Sequence, residues 1–160
     1  MTEGKRQMTA GSYRKAFNTA LRLLTRRDHS KYELAQKLKQ RAFADDVIEK
    51  VLLECERLDY LNDERTAKVF TDQLLRKGYG AKRIRAELKR KGLTGRRIAG
   101  SLSAMLSEAG EQENAERVLM KNIKRFDRED DRQKRMAKIF RFLYSRGFST
   151  EAISGVMKKY

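Results

Sequence analysis

The sequence predicts an all-α protein built as a tandem array of three three-helix repeats, elongated or curved in shape. Lys, Arg, Glu, Leu and Ala are abundant and Pro is absent, which favours helices on intrinsic propensity. Apolar residues recur at helical spacing along most of the chain. A shared pattern, L-x-x-(R/K)-(G/A)-(F/L)-(A/T/S)-x-x-x-I, also occurs three times, at offsets of 50 and then 55 residues. Together these observations predict the all-α fold class and the division into three repeats.

The repeat register aligns core positions with core positions and turn positions with turn positions. Aligned in this way are Leu34 with Ile84 and Ile139, Leu38 with Leu88 and Leu143, Ala42 with Gly92 and Gly147, and Ile48 with Ile98 and Ile153. We expect a disordered tail over residues 1–12 and repeats over 13–60, 61–108 and 109–160. A unit of about 50 residues buries little core of its own, so we expect neighbouring repeats to pack on one another.

Capping signals place the helices inside each repeat. Ser30 and Glu33 form an S-x-x-E capping box, Asn62 caps the first helix of the second repeat, and Gly92 is expected to end a helix in a left-handed conformation. Ser107–Asn114 is polar and is expected to separate the second repeat from the third. The expected helices run from Tyr13 to about Arg27, from Ser30, from about Asp45 to before Asp59, from Asn62, from Ala81 to Lys91, from Thr94, through Val118 to Ile123, from Arg132 to Arg146, and from Ser149.

The charge is large and unevenly distributed. The formal net charge is +16 with a pI near 10.2. Residues 1–43 balance at +8, residues 44–64 at −6, and residues 121–146 at +6. An excess of this kind predicts a polyanion or an acidic protein surface as partner, since a coat that served solubility alone would be more uniform.

The strongest cationic segment surrounds the helix expected at Ala81–Lys91. Residues 76–97 hold ten basic side chains and one acidic one. Ala81, Ile84 and Leu88 share an apolar face, which leaves the cations in water. The candidate partner-binding residues are Arg76, Lys77, Lys82, Arg83, Arg85, Lys89, Arg90, Lys91, Arg96 and Arg97.

Two kinds of partner suit this segment. Cations spaced along a helix can neutralise successive phosphates of single- or double-stranded DNA, with contacts mainly to the backbone. They can equally lie along an acidic protein groove. Tyr79, between Gly78 and Gly80, could stack on a base or pack into the turn between helices.

Motifs for catalysis, cofactors or metals are weak or absent, so we expect a non-enzyme with no cofactor. His29 is the one histidine and lies in a turn. No Walker-type phosphate loop occurs, and Glu129–Asp131 reads as a solvated loop. Cys55 is the one cysteine, so no disulfide can form within the chain, which fits a reducing compartment. Its helical spacing with Leu52 and Leu58 predicts that it is a core residue. No apolar run approaches a membrane span and no signal peptide is evident, so we expect a cytoplasmic monomer.

Four motifs together resemble the RecX family, the bacterial regulators of the RecA recombinase. They are R-D-H-S-x-x-E-L at Arg27–Leu34, Y-L-N-D-E-R at Tyr60–Arg65, R-K-G-Y-G-A-K-R-I-R-A-E-L-K-R-K-G-L at Arg76–Leu93, and F-L-x-x-R-G-F-S at Phe142–Ser149. The resemblance runs from about Tyr13 to the C-terminus. Asn62, Thr66 and Ala81 depart from the family's frequent Asp, aromatic residue and Pro.

The resemblance implies tandem three-helix repeats and a non-enzymatic protein that binds the RecA–DNA filament. It implies that filament growth, ATPase, strand-exchange and coprotease activities are damped, in DNA repair, recombination and the SOS response. It does not fix which side chains contact RecA. The alternative left open by the residues themselves is an autonomous helical DNA-binding protein that acts without RecA.

Overall fold

The computed structural model describes residues 10–160, and within this range it contains α-helices, one short 3-10 helix and no strand. The helices are α1 (Ala10–Arg26), α2 (Lys31–Lys39), α3 (Asp45–Arg57), α4 (Asp63–Arg76), α5 (Ala81–Arg90), α6 (Arg96–Leu102), α7 (Glu108–Asn122), α8 (Arg132–Ser145) and α9 (Thr150–Met157), with the 3-10 helix at Ile123–Arg125. The all-α prediction is therefore confirmed.

Several helix starts agree with the caps read from the sequence. Ser30 accepts a hydrogen bond from the Glu33 amide and completes the capping box. Asn62 Oδ1 accepts from the Arg65 amide at 3.0 Å. Ser149 caps α9 by accepting from the Ala152 amide.

Three boundaries differ from the prediction. Helix α1 begins at Ala10, so three residues of the predicted tail are helical, while residues 1–9 lie outside the described part of the chain. Helix α6 begins at Arg96, after Gly95 with a φ of 114°, and not at Thr94. The segment predicted to separate two repeats forms the first turns of α7, because Ser107 caps it by accepting from the Gly110 amide.

The chain divides into two compact units, one of which comprises the described residues up to Ala67 together with Lys91–Leu93. In this unit α1, α2 and α3 pack on one another. Their core residues are Ala16, Ala20, Leu34, Leu38, Val47, Ile48, Val51, Leu52, Cys55 and Leu61. Burial raises the pKa of the Cys55 thiol to about 11. The expectation that Cys55 is a core residue is confirmed.

The other unit comprises Lys68–Arg90 and Thr94–Tyr160. Helices α7, α8 and α9 pack pairwise around a core that includes Ala115, Leu119, Ile139, Leu143 and Phe148. The same unit contains α5, whose Ile84 is fully buried.

The turn that follows the second helix of each repeat has the same backbone conformation. Ala42, Gly92 and Gly147 have φ values of 61°, 69° and 86°, which is the left-handed region that favours glycine. These are the three positions that the sequence register aligns. The register derived from the sequence is therefore visible in the backbone.

None of the helices within residues 10–160 combines the length and apolar character needed to cross a bilayer.

Candidate polyanion-binding surface

Helix α5 buries one face and exposes a cationic one, as its sequence predicts. Ala81, Ile84 and Leu88 are buried. The exposed cations of the helix, which we call the α5 surface, are Lys82, Arg83, Arg85, Lys89 and Arg90. At 100° per residue these five side chains cover a little less than half of the helix circumference. They therefore form one continuous cationic strip.

The start of α5 is held by groups distant in sequence. The first turn of α5 contains no acidic residue. The Gly80 amide donates to the Arg146 carbonyl at 2.9 Å, and the Lys82 amide donates to the Gly147 carbonyl at 3.1 Å. Glu111 Oε1 accepts from the Ala81 amide at 3.0 Å. These contacts satisfy amides that a helix N-terminus leaves without intrahelical partners.

Glu111 links this helix start to another one. Its Oε1 also accepts from the Ser149 amide at 3.1 Å, and its Oε2 accepts from Ser149 Oγ at 2.8 Å. The Glu111 side chain is buried although its residue type is usually exposed. One carboxylate thus caps α5 and also accepts hydrogen bonds from Ser149, which is the N-cap residue of α9. The sequence reasoning missed this residue, because it lies in a segment read as a separator.

Within residues 10–160, two cations in the first turn of α5 contact aromatic rings and no carboxylate. The Arg83 guanidinium carbon lies 3.9 Å from the centroid of Tyr79, and Lys82 Nζ lies 5.7 Å from that of Tyr144. Tyr79 is partly buried, and its carbonyl accepts from Asn114 Nδ2 at 3.1 Å. Tyr79 therefore packs in the turn, and Arg83 covers its ring.

The other cations of α5 differ in how they are engaged. Lys89 is exposed and, among the described residues, has no carboxylate within ion-pair distance. Arg85 Nη2 donates to the Leu106 carbonyl at 3.5 Å. Arg90 pairs with Glu87, yet 77% of its side chain stays exposed. An exposed pair of this kind contributes about 0.5 kcal/mol or less, so Arg90 can exchange partners.

Lys91 is also a predicted binding residue, and in the structure its side chain pairs with Glu33. Its Nζ lies 2.7 Å from Glu33 Oε1, and only 24% of its side chain is exposed. Its carbonyl accepts from Ser30 Oγ at 2.5 Å. Burial alone would raise the pKa of Glu33, but hydrogen bonds from Lys91, the Ser30 amide and Arg27 outweigh it and lower the pKa to about 2. Lys91 is thus part of the first unit's packing and does not belong to the α5 surface.

The four remaining predicted residues are all exposed. Arg76 pairs with Asp72 at 2.8 Å and keeps 80% of its side chain exposed. Lys77 follows α4, and its carbonyl accepts from Arg146 Nη1 at 3.1 Å. Arg96 and Arg97 lie in the first turn of α6, where a helix dipole disfavours cations.

The structure adds Tyr144 to the candidate site and gives Arg146 a structural role. Tyr144 on α8 is 49% exposed, lies beside Lys82 and stacks on Phe140 with ring centroids 5.8 Å apart. Arg146, although cationic, is partly buried and donates to the carbonyls of Lys77 and Gly78. Helical spacing could not reveal the position of Tyr144, since its neighbour Lys82 is 62 positions earlier in the chain.

The residues that the sequence analysis considered for catalysis or metal binding have structural roles. His29 is buried in the turn before α2, where its Nδ1 lies 2.9 Å from the Arg27 carbonyl, and burial lowers its pKa. Glu129 pairs with Lys138, and Asp131 caps α8. Within residues 10–160 no group of three or more His, Cys, Asp or Glu side chains is arranged to hold a metal ion.

A protein of consecutive three-helix domains with a cationic helix surface belongs to the class of helical-repeat proteins. Models of the three RecX three-helix domains match residues 16–55, 62–102 and 110–157 in order. The regulatory protein RecX of Legionella pneumophila (strain Corby) is 40% identical over 147 residues, which is 91% of this chain and 94% of that protein. The corresponding protein of Vibrio campbellii is 40% identical over 84% of each chain.

The crystal structure of RecX from Lactobacillus salivarius superimposes with a TM-score of 0.84 at 23% sequence identity, and covers 94% of this chain and 97% of that one. A second crystal structure of a regulatory protein RecX gives a TM-score of 0.81 at 19% identity. These two likenesses establish the fold. The family models and the relatives establish that the chain belongs to the RecX family of regulatory proteins.

Proposed function

We propose that this protein is a non-enzymatic modulator of RecA that binds the RecA–DNA filament through the α5 surface. Binding damps filament growth and with it the ATPase, strand-exchange and coprotease activities. The protein acts in the cytoplasm as a monomer and needs no cofactor. Membership of a family of regulatory proteins supports the general role, and the charge of α5 supports the contact surface.

The observation that carries the proposal is the cationic N-terminus of α5. A helix N-terminus carries a partial positive charge, so Lys and Arg in its first turn weaken the helix. Lys82 and Arg83 are nevertheless there, with no acidic residue in that turn and no carboxylate paired to either side chain in the described residues. Their position is unfavourable for folding, which supports a role in binding.

The chemistry of the surface suits the anionic groups of a filament. A guanidinium donates two parallel hydrogen bonds to a phosphate or a carboxylate, and a lysine ammonium supplies a point charge. Lys89 and Arg90 continue the strip about two turns further along α5. The strip can therefore lie along acidic side chains of RecA, along DNA phosphates, or along both.

The test is a titration of RecA activity with two variants of equal charge. The first is K82A/R83A/K89A/R90A. The second removes four cations that are each ion-paired elsewhere, R57A/R65A/K138A/K159A. DNA-dependent ATP hydrolysis and strand exchange are measured over the full stoichiometric range.

We expect the first variant to need at least about ten times more protein for half-inhibition, because several charge-assisted contacts are lost. The control variant should stay within about threefold of the unmodified protein, since exposed ion pairs contribute little to stability and long-range charge changes equally in both. Inhibition by the first variant equal to that of the control would exclude the α5 surface. Unchanged RecA turnover with the unmodified protein would exclude the function itself.

A second candidate is an autonomous DNA-binding protein that acts without RecA. It is favoured by Tyr144, whose exposed ring beside Lys82 offers a stacking platform next to a phosphate-binding cation. Gel shifts at increasing salt, with and without RecA, distinguish the two. Tight, sequence-selective binding without RecA supports the autonomous protein, whereas weak and non-selective binding that RecA strengthens supports the modulator.

A further inference from the structure

We propose that a cleft in the first unit, formed by Arg22, Arg26 and Arg41, is a binding site for a phosphate group. We call it the arginine cleft. Thr19 and Leu23 complete its lining, and its volume is about 300 Å³. It belongs to a different unit of the protein from the α5 surface and rests on none of its residues. The cleft can bind a phosphate independently of the proposed action on RecA.

Two elements bring the three arginines to one cavity. Arg22 and Arg26 are four residues apart on α1, so they lie on the same side of that helix. Arg41 comes from the turn after α2, directly before Ala42 with its left-handed φ of 61°. This turn directs the chain so that a third cation lines the same cleft. Cations four apart on a helix repel each other, and a third one adds to that repulsion.

In the described part of the chain, no carboxylate offsets this concentration of charge. Over residues 10–160 none of the three arginines forms an ion pair, and no acidic residue lines the cleft. Other arginines of the same unit are paired: Arg57 with Glu54 at 2.7 Å and Arg65 with Asp59 at 2.9 Å.

Helix-end electrostatics explain only part of the arrangement. Arg26 ends α1, and Arg41 Nη1 donates to the Lys37 carbonyl at 2.9 Å in the last turn of α2. Cations at these C-terminal ends interact favourably with the helix dipoles and so stabilise the two helices. Arg22 is more than a turn before the end of α1, and its Nη2 donates a hydrogen bond to Thr19 Oγ1 at 3.5 Å. The helix dipole therefore does not account for Arg22 facing the cleft.

The chemistry of the cleft selects a phosphate. Guanidinium groups bind phosphate oxygens bidentately, and three of them can contact one phosphate from several directions. Leu23 adds an apolar wall on which a sugar could rest. A cavity of about 300 Å³ is at the lower limit for small-molecule sites, which suits one phosphate and its sugar. The phosphate can be a phosphodiester of a nucleic acid or a free phosphate.

The test compares R22A/R41A with R57A/R65A, which changes the net charge equally but removes cations paired with carboxylates. All measurements use the full chain alone, without RecA. One arm measures the fluorescence anisotropy of a labelled 30-nucleotide single strand at several salt concentrations. The other measures binding of inorganic phosphate by calorimetry. Melting by circular dichroism checks that both variants fold, and R22K/R41K keeps the charge while removing the bidentate guanidinium.

We expect R22A/R41A to bind the strand about tenfold more weakly than R57A/R65A does, with a salt slope lower by roughly 0.7 because the contact with one phosphate is lost. R22K/R41K should fall between them. If only phosphate binding is lost, the site takes free phosphate, and the proposal stands with that source. If the two double alanine variants bind both probes equally, the proposal is wrong, whatever the outcome of the RecA titration.

Discussion

The start of α2 in the first unit and the start of α5 in the second have similar capping contacts. They differ in whether their first-turn cations pair with carboxylates. Asp63 Oδ1 accepts from the Lys31 amide at 2.7 Å, just as Glu111 Oε1 accepts from the Ala81 amide. Ser30 Oγ reaches the carbonyl of Lys91, whereas the Gly80 amide reaches that of Arg146. The repeat register aligns these two carbonyls. In the first two repeats, the second helix is thus capped by a carboxylate and a turn from the following repeat.

The difference lies in the cations. Lys31 in the first turn of α2 pairs with Glu56 at 2.9 Å, and Glu33 of the same turn pairs with Lys91. In α5 the first-turn cations Lys82 and Arg83 have no such partners in the described residues. The same scaffold therefore uses its charges for stability in one unit and leaves them available for binding in the other. Four predictions test this comparison.

Replacing Gly80 with Ala should have the largest effect. A Cβ at this position would lie 2.3 Å from the Phe148 amide and 2.4 Å from the Gly147 carbonyl, which are backbone atoms that cannot move aside. We expect the free energy of unfolding to fall by at least about 4 kcal/mol, measured by urea denaturation. Gly100→Ala is the control, since nothing lies within 4 Å of its Cβ, and it should stabilise α6 by about 0.5–1 kcal/mol. A Gly80→Ala protein as stable as the control would contradict this packing.

Replacing Glu33 with Gln should remove an acid-sensitive part of the stability. The Glu33 pKa is about 2 in the folded protein against 4.5 normally, so its contribution is present above pH 4.5 and is lost as the pH falls toward 2. The shift corresponds to a contribution on the order of 3 kcal/mol at pH 7. Unfolding measured between pH 7 and pH 2 should give a flatter profile for the variant. Asp63, whose pKa is raised mainly by burial and to a smaller extent by the Glu33 charge, acts in the opposite direction, and its contribution is smaller in the variant. Parallel profiles would show that the pKa of Glu33 is not lowered in the folded protein.

Replacing Glu111 with Gln should destabilise the second unit by about 2 kcal/mol. The substitution keeps the shape but removes the charge that strengthens three hydrogen bonds, and it puts an amide donor opposite other donors. Hydrogen exchange should show faster exchange of the Ala81 and Ser149 amides. The Lys31 amide, which Asp63 caps, serves as the internal control and should be unchanged.

The smallest change in stability is expected for K82A/R83A/K89A/R90A. These side chains are exposed, and two of them oppose the helix dipole, so the free energy of unfolding should change by less than about 1 kcal/mol. Helicity and thermal melting are the measurements. A large loss would mean that the contacts with Tyr79 and Tyr144 matter more for folding than for binding.

Local signals in the sequence account for the helices, the caps and the cationic face. The Ser30 capping box, the left-handed turns at Ala42, Gly92 and Gly147, and the buried face of α5 all follow from residues within one or two turns. The family could be inferred from ordered motifs for the same reason. Periodicity and capping depend on neighbours in the chain, and these are visible in the sequence.

Contacts between distant residues could not be predicted in this way. The sequence places Lys91 among the candidate binding residues because it shows no sign of the pair with Glu33, which is 58 positions earlier. Glu111 and the start of α7 were missed because a polar helix that buries a carboxylate has no apolar stripe. Tyr144 was not recognised because its position beside Lys82 depends on how the following repeat packs. The sequence shows which segments carry charged side chains, but it does not show which of those side chains form ion pairs.

The buried thiol of Cys55 has a practical consequence for labelling. A thiol reacts as its thiolate, and a group shielded from solvent with a pKa near 11 offers almost none at neutral pH. Maleimide reagents should therefore leave the folded protein untouched. A single cysteine introduced on an exposed face could then be labelled with a fluorophore without first removing the natural one, so binding could be followed in an otherwise unaltered chain.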